Sequence, residues 1–244
     1  MEEYRKRIYD HYSSLMCGRV TISEAKEREV YHRSYDKLLK GWLPESTETI
    51  ILDVGCGKGN LLKFLKEEGF RNLRGVDISP EQVELSRKVV GGVEEGDAVQ
   101  YLSNCKESVG AIIGLDIIEH MHKEDVIPFI EGCYGALRNN GRLILQTPNA
   151  ESPWGMGIVK SDFTHEVSFT PHSLCKLLEL CGFERIEIRG MDPVVHGILS
   201  MGRFVIWKMI WLVLATWNLA ETGRLGYGIY SRVFLISGIK RAKE

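Results

Sequence analysis

Residues 50–60 read IILDVGCGKGN, a short apolar run followed by a glycine-rich loop. An apolar run of this length that stops at a turn predicts a strand buried on both faces, as in a parallel sheet. The glycines allow a tight turn and let a ligand approach the backbone closely. Because a helix is predicted from Asn60 onward, its N-terminus would favour electron-rich groups of that ligand. We therefore predict a ligand site at the carboxyl end of the first strand.

The spacing of these glycines separates two classes of binding loop. Dinucleotide-binding enzymes carry the pattern G-x-G-x-x-G. Here the third glycine, Gly59, comes one position earlier, and Asn60 takes the expected place. Asp53 also precedes Gly55 by two residues. The spacing therefore disfavours an NAD-binding oxidoreductase.

The rest of the chain alternates predicted strands and helices. Strands are predicted at 50–54, 72–76, 92–95, 109–115, 142–147, 183–189 and 232–239, and helices at 60–68, from 80 onward, at 123–138 and at 171–181. Ser79 is predicted to cap the second of these helices, with Gln82 completing a capping box. Such alternation implies right-handed βαβ units and a mostly parallel, doubly wound sheet. The last two strands lack a short crossover helix, so we expect an antiparallel last strand.

Three regions follow from this pattern. Residues 1–47 are polar and rich in helix formers, which predicts a helical cover over the mouth of the ligand site. Residues 48–190 and 231–244 would form the α/β domain, and 191–230 an apolar helical insertion.

Several motifs resemble those of class I S-adenosylmethionine-dependent methyltransferases. The form hydrophobic-x-Asp-x-Gly-x-Gly-x-Gly at 51–59 is similar to their first motif, and GVDIS at 75–79 and EGDA at 95–98 are similar to the second and third. AIIGLD at 111–116 resembles their fourth strand. LRNNGRL at 137–143 resembles the turn before strand five, with Asn-Asn in place of Pro-Gly. The resemblance implies a Rossmann-like fold of seven strands.

The resemblance also implies a cofactor, S-adenosyl-L-methionine, which leaves as S-adenosyl-L-homocysteine. Asp77 would accept hydrogen bonds from the ribose hydroxyls, and Asp97 would bond the adenine amino group. The full set of implied cofactor residues is Asp53, Gly55, Cys56, Gly57, Gly59, Asp77, Ile78, Asp97, Ala98, Leu115 and Asp116.

Candidates for catalysis lie in DIIEHMH at 116–122 and in the long connection 148–170, which exceeds ordinary loop lengths and resembles a substrate lid. His165, His120 and Glu119 are the candidate catalytic residues, because a hydroxyl nucleophile needs a base. Trp154 could pack on a substrate. We predict His122 and His172 to be surface or capping residues.

The same segment raises the question of a metal ion. Acid-x-x-Glu-His followed by a distant histidine is similar to the metal site of small-RNA 3′-end 2′-O-methyltransferases and to the Glu-x-x-Glu-His of ubiquinone-biosynthesis O-methyltransferases. Such a site would use Asp116, Glu119, His120 and His165, and the first three would share one face of a helical turn. Glu-His also stands here in related enzymes that bind no metal. We therefore favour a metal-free site and keep the metal as the alternative.

The charge and cysteine content of the chain indicate which partners it binds and in which compartment it is located. The net charge is −2, which provides no broad field for nucleic acid. The six cysteines are scattered without C-x-x-C pairs, and the N-terminus has no apolar signal region, so we expect reduced thiols in a cytoplasmic protein.

One apolar segment, FVIWKMIWLVLATW at 204–217, is shorter than the roughly 20 residues of a membrane span. Two interpretations remain open. A helix there could be buried against a neighbouring element or in a homodimer through 198–220, or it could dip into the inner face of a membrane. Arg203, Lys208 and three tryptophans would then lie near the headgroups. A similar insertion in surface-glycan methyltransferases implies a sugar acceptor, carried on a lipid.

The combined prediction is an S-adenosylmethionine-dependent methyltransferase that O-methylates a hydroxyl on a small molecule or glycan. The alternatives within this class are a quinone or lipid methyltransferase and an RNA 2′-O-methyltransferase, although the chain has no evident basic stripe. The non-enzyme alternative is a cofactor-binding partner subunit.

Overall fold

A computed structural model describes residues 3–9, 24–105, 108–195 and 197–242. The strands are β1 (Ile51–Val54), β2 (Leu73–Asp77), β3 (Val93–Glu95), β4 (Val109–Leu115), β5 (Leu137–Pro148), β6 (Phe183–Gly190) and β7 (Val233–Lys240). The α-helices are α1 (Glu3–Tyr9), α2 (Glu24–Leu39), α3 (Asn60–Glu67), α4 (Pro80–Arg87), α5 (Ala98–Asn104), α6 (Lys123–Ala136), α7 (Gly155–Val159), α8 (Pro171–Leu180) and α9 (Ile198–Thr222). A 3-10 turn spans Ile118–His120.

The strands form one sheet in the order β3-β2-β1-β4-β5-β7-β6. All neighbours up to β5 are parallel, whereas β7 is antiparallel to both β5 and β6. The predicted fold is therefore confirmed, with β7 inserted between β5 and β6. Strand order reverses between β1 and β4, and in such sheets ligands bind at the carboxyl ends of the strands beside that reversal.

Strand β1 is buried along its whole length, as its apolar run predicts. Ile51 packs in the core cluster with Leu62 of α3, and Leu52 packs on the other side with Phe129 of α6. The two faces of the sheet are thus both covered by helices, which leaves the strand ends as the place for a site.

Some local predictions were wrong. Helix α6 ends at Ala136 and not at Arg138, because Leu137 already pairs with Val109 in the sheet. Ser79 precedes α4 but forms no capping bond, since its hydroxyl donates to the carbonyl oxygen of Tyr9 at 2.9 Å. The sequence pattern did not predict helix α5.

Helix α9 is much longer than the apolar segment alone indicated. By length and composition this helix could cross a membrane. Only 11% of its most apolar stretch is buried inside the protein. It is therefore not a core helix, and no element among the described residues buries most of it.

Candidate functional site

A cavity of about 510 Å³ opens at the carboxyl ends of β1, β2 and β4, where the topology predicts a ligand site. Its walls include the glycine loop, the ends of β2 and β4, the start of α5 and residues of α1. The cavity thus combines backbone and carboxylate groups with the apolar side chains of Ile78, Val99 and Leu115.

The glycine loop is held in a left-handed conformation that few other residues adopt. Gly55 has φ of +70° and Gly57 of +51°. Asp77 ties this loop to β2, because its carboxylate accepts from the backbone N–H of Gly57 at 2.8 Å and of Ser79 at 2.9 Å. Burial raises the pKa of Asp77, although these N–H groups oppose that effect. The carboxylate therefore has a fixed orientation at the cavity wall.

Asp97 has a structural bond besides its place in the cavity wall. Its carboxylate accepts from the backbone N–H of Gln100 at 3.0 Å and so caps α5. The predicted bond to an adenine amino group stays a prediction. The next residue, Ala98, adds an apolar contact surface to the same wall.

Eight of the predicted cofactor residues line the cavity: Gly55, Gly57, Asp77, Ile78, Asp97, Ala98, Leu115 and Asp116. Asp53, Cys56 and Gly59 are not among the lining residues. Asp53 is 2% exposed, and burial, followed by the charge of Asp77, raises its pKa well above the ordinary value. The Cys56 thiol faces Ser86, and a Cβ on Gly59 would come within 3.1 Å of that serine. These three residues shape the turn behind the cavity.

Helix α1 contributes groups that no local sequence pattern marked. The guanidinium of Arg5, which is 9% exposed, donates to the carbonyl oxygen of His120 and lies 2.7 Å from His122 Nε2. Tyr9 also lines the cavity. His122 occupies the N-cap position of α6, in line with its predicted capping role but without a side-chain capping bond, and it also lines the cavity. The helical cover over residues 1–47 stays a prediction: α1 contributes to the cavity wall, and residues 1–2 and 10–23 lie outside the described part of the chain.

Asp116 and Glu119 follow β4 as predicted but have different surroundings. Asp116 has φ of +54°, accepts from Gln146 Nε2 at 2.9 Å, and has its pKa raised by burial. Glu119 is 2% exposed and accepts from Thr147 Oγ1 at 3.0 Å through Oε2. Its Oε1 has no hydrogen-bond partner among the described atoms. Burial, and then the charge of Asp116, raises the pKa of Glu119 to about 8.

Two histidines from separate segments meet beside Glu119. The rings of His120 and His165 lie 4.6 Å apart between centroids. His165 Nδ1 lies 2.9 Å from the carbonyl oxygen of Val159, so it must be the protonated nitrogen. His120 Nδ1 lies 2.8 Å from Thr164 Oγ1, whose own proton is donated to Asp162 at 2.7 Å. In the neutral rings, each Nε2 therefore carries a lone pair.

The protonation of His120 follows from this environment. Burial, and then the neighbouring His165, lowers its pKa to about 4. The ring is therefore neutral near pH 7. Of the three candidate catalytic residues, His120 lines the cavity, whereas Glu119 and His165 lie behind it.

Three of the four candidate metal ligands come together. Glu119, His120 and His165 each offer a ligand atom, and these atoms lie within 4.8 Å of one another. Asp116 is not in this group, because the backbone turns sharply there and its carboxylate bonds Gln146. A carboxylate and two imidazoles suit a divalent cation, and the unpaired Oε1 of Glu119 fits such an ion. The cluster could therefore hold a metal with three protein ligands.

The doubly wound sheet and the glycine-loop cavity define a Rossmann-like enzyme of the α/β class. The family model described as "methyltransferase domain" matches residues 25–188, and the chain belongs to this family. S-adenosyl-L-methionine is its cofactor, and the protein is an S-adenosylmethionine-dependent methyltransferase. A non-enzymatic role as a partner subunit is thereby set aside.

Curated relatives share about a quarter of their residues with the chain. The ubiquinone biosynthesis O-methyltransferase of Idiomarina loihiensis is 25% identical over 171 residues, which is 62% of this chain and 68% of that protein. The sphingolipid C9-methyltransferase B of Emericella nidulans is 25% identical over 227 residues, 83% of this chain and 43% of that protein. The chain thus spans about two thirds or less of these relatives' length.

Solved structures confirm the fold. An S-adenosylmethionine-dependent methyltransferase from Archaeoglobus fulgidus superimposes with a TM-score of 0.66 at 21% identity, covering 94% of this chain and all of that chain (100%). At this identity the likeness shows the shared architecture alone.

Proposed function

We propose that the protein O-methylates a hydroxyl group on a small-molecule or glycan acceptor. S-adenosylmethionine supplies a methyl group that its sulfonium has already activated. The chain therefore has to align the acceptor oxygen with that methyl and to take up the hydroxyl proton. The observation that carries the proposal is the imidazole of His120, which is neutral at pH 7, oriented through Nδ1, and part of the cavity wall.

In this proposal His120 is the base. As the C–O bond forms and the C–S bond breaks, the hydroxyl proton passes to His120 Nε2. Thr164 and Asp162 act as positioning residues, since they hold the Nδ1–H of His120 in a chain of two hydrogen bonds. The charge of Asp162 would support the imidazolium, which burial and His165 oppose. A divalent cation, held by Glu119, His120 and His165, would instead lower the pKa of the acceptor hydroxyl.

The acceptor is proposed to be carried on a lipid. Two observations support this: the exposed apolar helix α9, and the names of the relatives, which refer to ubiquinone biosynthesis and to sphingolipids. A quinone or lipid acceptor is the second candidate, and the same two observations support it. An RNA acceptor is supported only by the Asp-x-x-Glu-His pattern at 116–120.

Transfer of a tritiated methyl group into a cell extract tests the proposal. The labelled product is fractionated into glycan, lipid, RNA and protein, and we expect label in the glycan or lipid fraction. His120→Ala should lower the rate by about 10²–10⁴-fold, the usual contribution of a general base, with little change in cofactor affinity. The matched control is His172→Ala, at an exposed site on α8. Label confined to RNA or protein contradicts the acceptor, and a fully active His120 variant contradicts the base.

A further inference from the structure

Helix α9 exposes an apolar face that none of the described residues covers. Residues that face the domain recur at helical spacing, and Ser200 and Ala215 among them are 5% and 3% exposed. The opposite face carries exposed side chains that include Ile198, Val205, Met209, Leu212, Val213 and Trp217. By helical geometry of 100° per residue, Arg203 and Lys208 fall on the two borders between these faces. Apart from Thr216, whose hydroxyl donates to the carbonyl oxygen of Leu212, the outward face is therefore apolar and its centre carries no charged side chain.

The way α9 is attached excludes a membrane span. The helix is about 37 Å long at 1.5 Å per residue, but both of its ends return to adjacent strands. Gly190 of β6 pairs with Phe234 of β7. If α9 crossed a bilayer, the irregular segment 223–232 would have to cross back through hydrocarbon, where unpaired backbone groups are not tolerated. Moreover, Trp211 Nε1 in the middle of the helix donates to the carbonyl oxygen of Gly228, so this segment runs back beside the helix.

Charge around the helix favours an anionic surface. Residues 191–232 contain four basic and two acidic side chains, although the whole chain has a net charge of −2. Asp192 accepts from Trp207 and forms an ion pair with Lys208 at 2.9 Å, so one charge of each sign is neutralised and three basic side chains face one acidic side chain. Arg203 is exposed at one border of the apolar face, and Arg224 is exposed just beyond the end of α9, whereas the exposed Glu221 accepts from Trp217 Nε1. Apolar side chains bordered by basic residues are typical of helices that lie in the headgroup region.

We propose that α9 lies in the plane of a bilayer containing anionic lipids, with its outward face buried among the acyl chains. A second copy of this chain is a less suitable occupant. The exposed apolar arc covers more than half of the helix circumference, whereas a packed helix pair covers a narrow seam. The helix also lies beyond residue 188, where the match to the methyltransferase family ends.

This placement would bring the catalytic edge of the sheet to the bilayer. The chain leaves α9 to enter β7, whose Val233 pairs with Pro148 at the carboxyl end of β5. Ser152 and Asn149, just after β5, donate to the carbonyl oxygens of Tyr230 and Ile229. The segment that follows α9 is therefore bonded to the segment that begins the predicted substrate lid.

Co-sedimentation of the full chain with vesicles tests the proposal without any measurement of methyl transfer. We expect binding to vesicles of phosphatidylcholine with about a third phosphatidylglycerol, and weaker binding to phosphatidylcholine alone. The double variant Leu212→Glu with Val213→Glu should lower the partition coefficient at least tenfold. The matched control is Leu180→Glu, at a 70% exposed leucine on α8, which should bind like the original protein. An unchanged melting temperature shows that each variant is folded.

Two outcomes would overturn the proposal. One is binding that the double variant leaves unchanged, or no binding of the original protein to either vesicle. The other is a dimer in lipid-free solution that the double variant converts to a monomer while vesicle binding is absent, which would assign the face to a second copy. If the double variant unfolds, quenching of Trp217 by brominated lipids decides the matter, because this 67% exposed side chain should be quenched and Trp217→Phe should remove the effect.

Discussion

The imidazole rings of His120 and His165 lie 4.6 Å apart, edge to face, with Glu119 buried beside them. A protonated imidazole is unfavourable here, because burial and the second ring both oppose the charge. The pKa of Glu119 is shifted in the opposite direction, since burial keeps its carboxyl group protonated up to about pH 8. Near pH 7, His120 is therefore in the neutral form that can accept a proton, and Glu119 is protonated.

The displaced pKa of Glu119 should appear in the pH dependence of stability. A carboxyl group whose pKa rises from 4.5 to about 8 on folding stabilises the fold most at low pH, and it loses this contribution as pH rises through 8. Glu119→Gln cannot ionise. We expect its melting temperature to match the original at pH 5 and to exceed it increasingly up to pH 8.5. A difference that does not change with pH would contradict the raised pKa.

Removal of metal should have little effect. Three protein ligands come together, but Glu119 is protonated near pH 7 without an ion, and Asp116 is bonded to Gln146. We expect dialysis against a chelator to leave both the melting temperature and methyl transfer unchanged. A loss of both that is restored by one divalent metal would assign that metal to Glu119, His120 and His165.

Gly57→Val should weaken cofactor binding at least tenfold. A β-branched residue at φ of +51° is strained, and relief of that strain would move the N–H that orients Asp77. Gly41→Val is the matched control, since Gly41 has φ of +73° and nothing within 4 Å of an added Cβ. Both variants should lose stability, but only Gly57→Val should lose affinity in a titration with S-adenosylhomocysteine. Equal affinities would show that the loop does not hold the cofactor.

Arg5→Ala should open the cover over the cavity. The guanidinium joins α1 to the backbone of His120 and to His122, so its removal leaves α1 with fewer attachments at the cavity wall. We expect S-adenosylhomocysteine to dissociate several-fold faster in stopped-flow measurements. Arg7→Ala, at an exposed position of the same helix, controls for the loss of a charge. Dissociation at the original rate would mean that α1 does not retain the ligand.

Local patterns were sufficient for much of the fold. The apolar run before Gly55 determines a buried strand, and the spacing to Gly59 distinguishes this loop from a dinucleotide loop, because both properties depend only on neighbouring residues. Asp77 and Asp97 could be placed at the cavity because parallel strands end at one edge of the sheet. The sequence also indicated which segment is unusually apolar.

Tertiary structure alone decided which distant residues meet. Arg5 reaches His120, and His120 meets His165, through packing between segments that no periodicity connects. Asp116 left the expected ligand group because its backbone is left-handed and Gln146 of β5 bonds it. Likewise, the residue order of α9 shows an apolar helix, but only the return of its two ends to β6 and β7 determines which face is exposed and excludes a span.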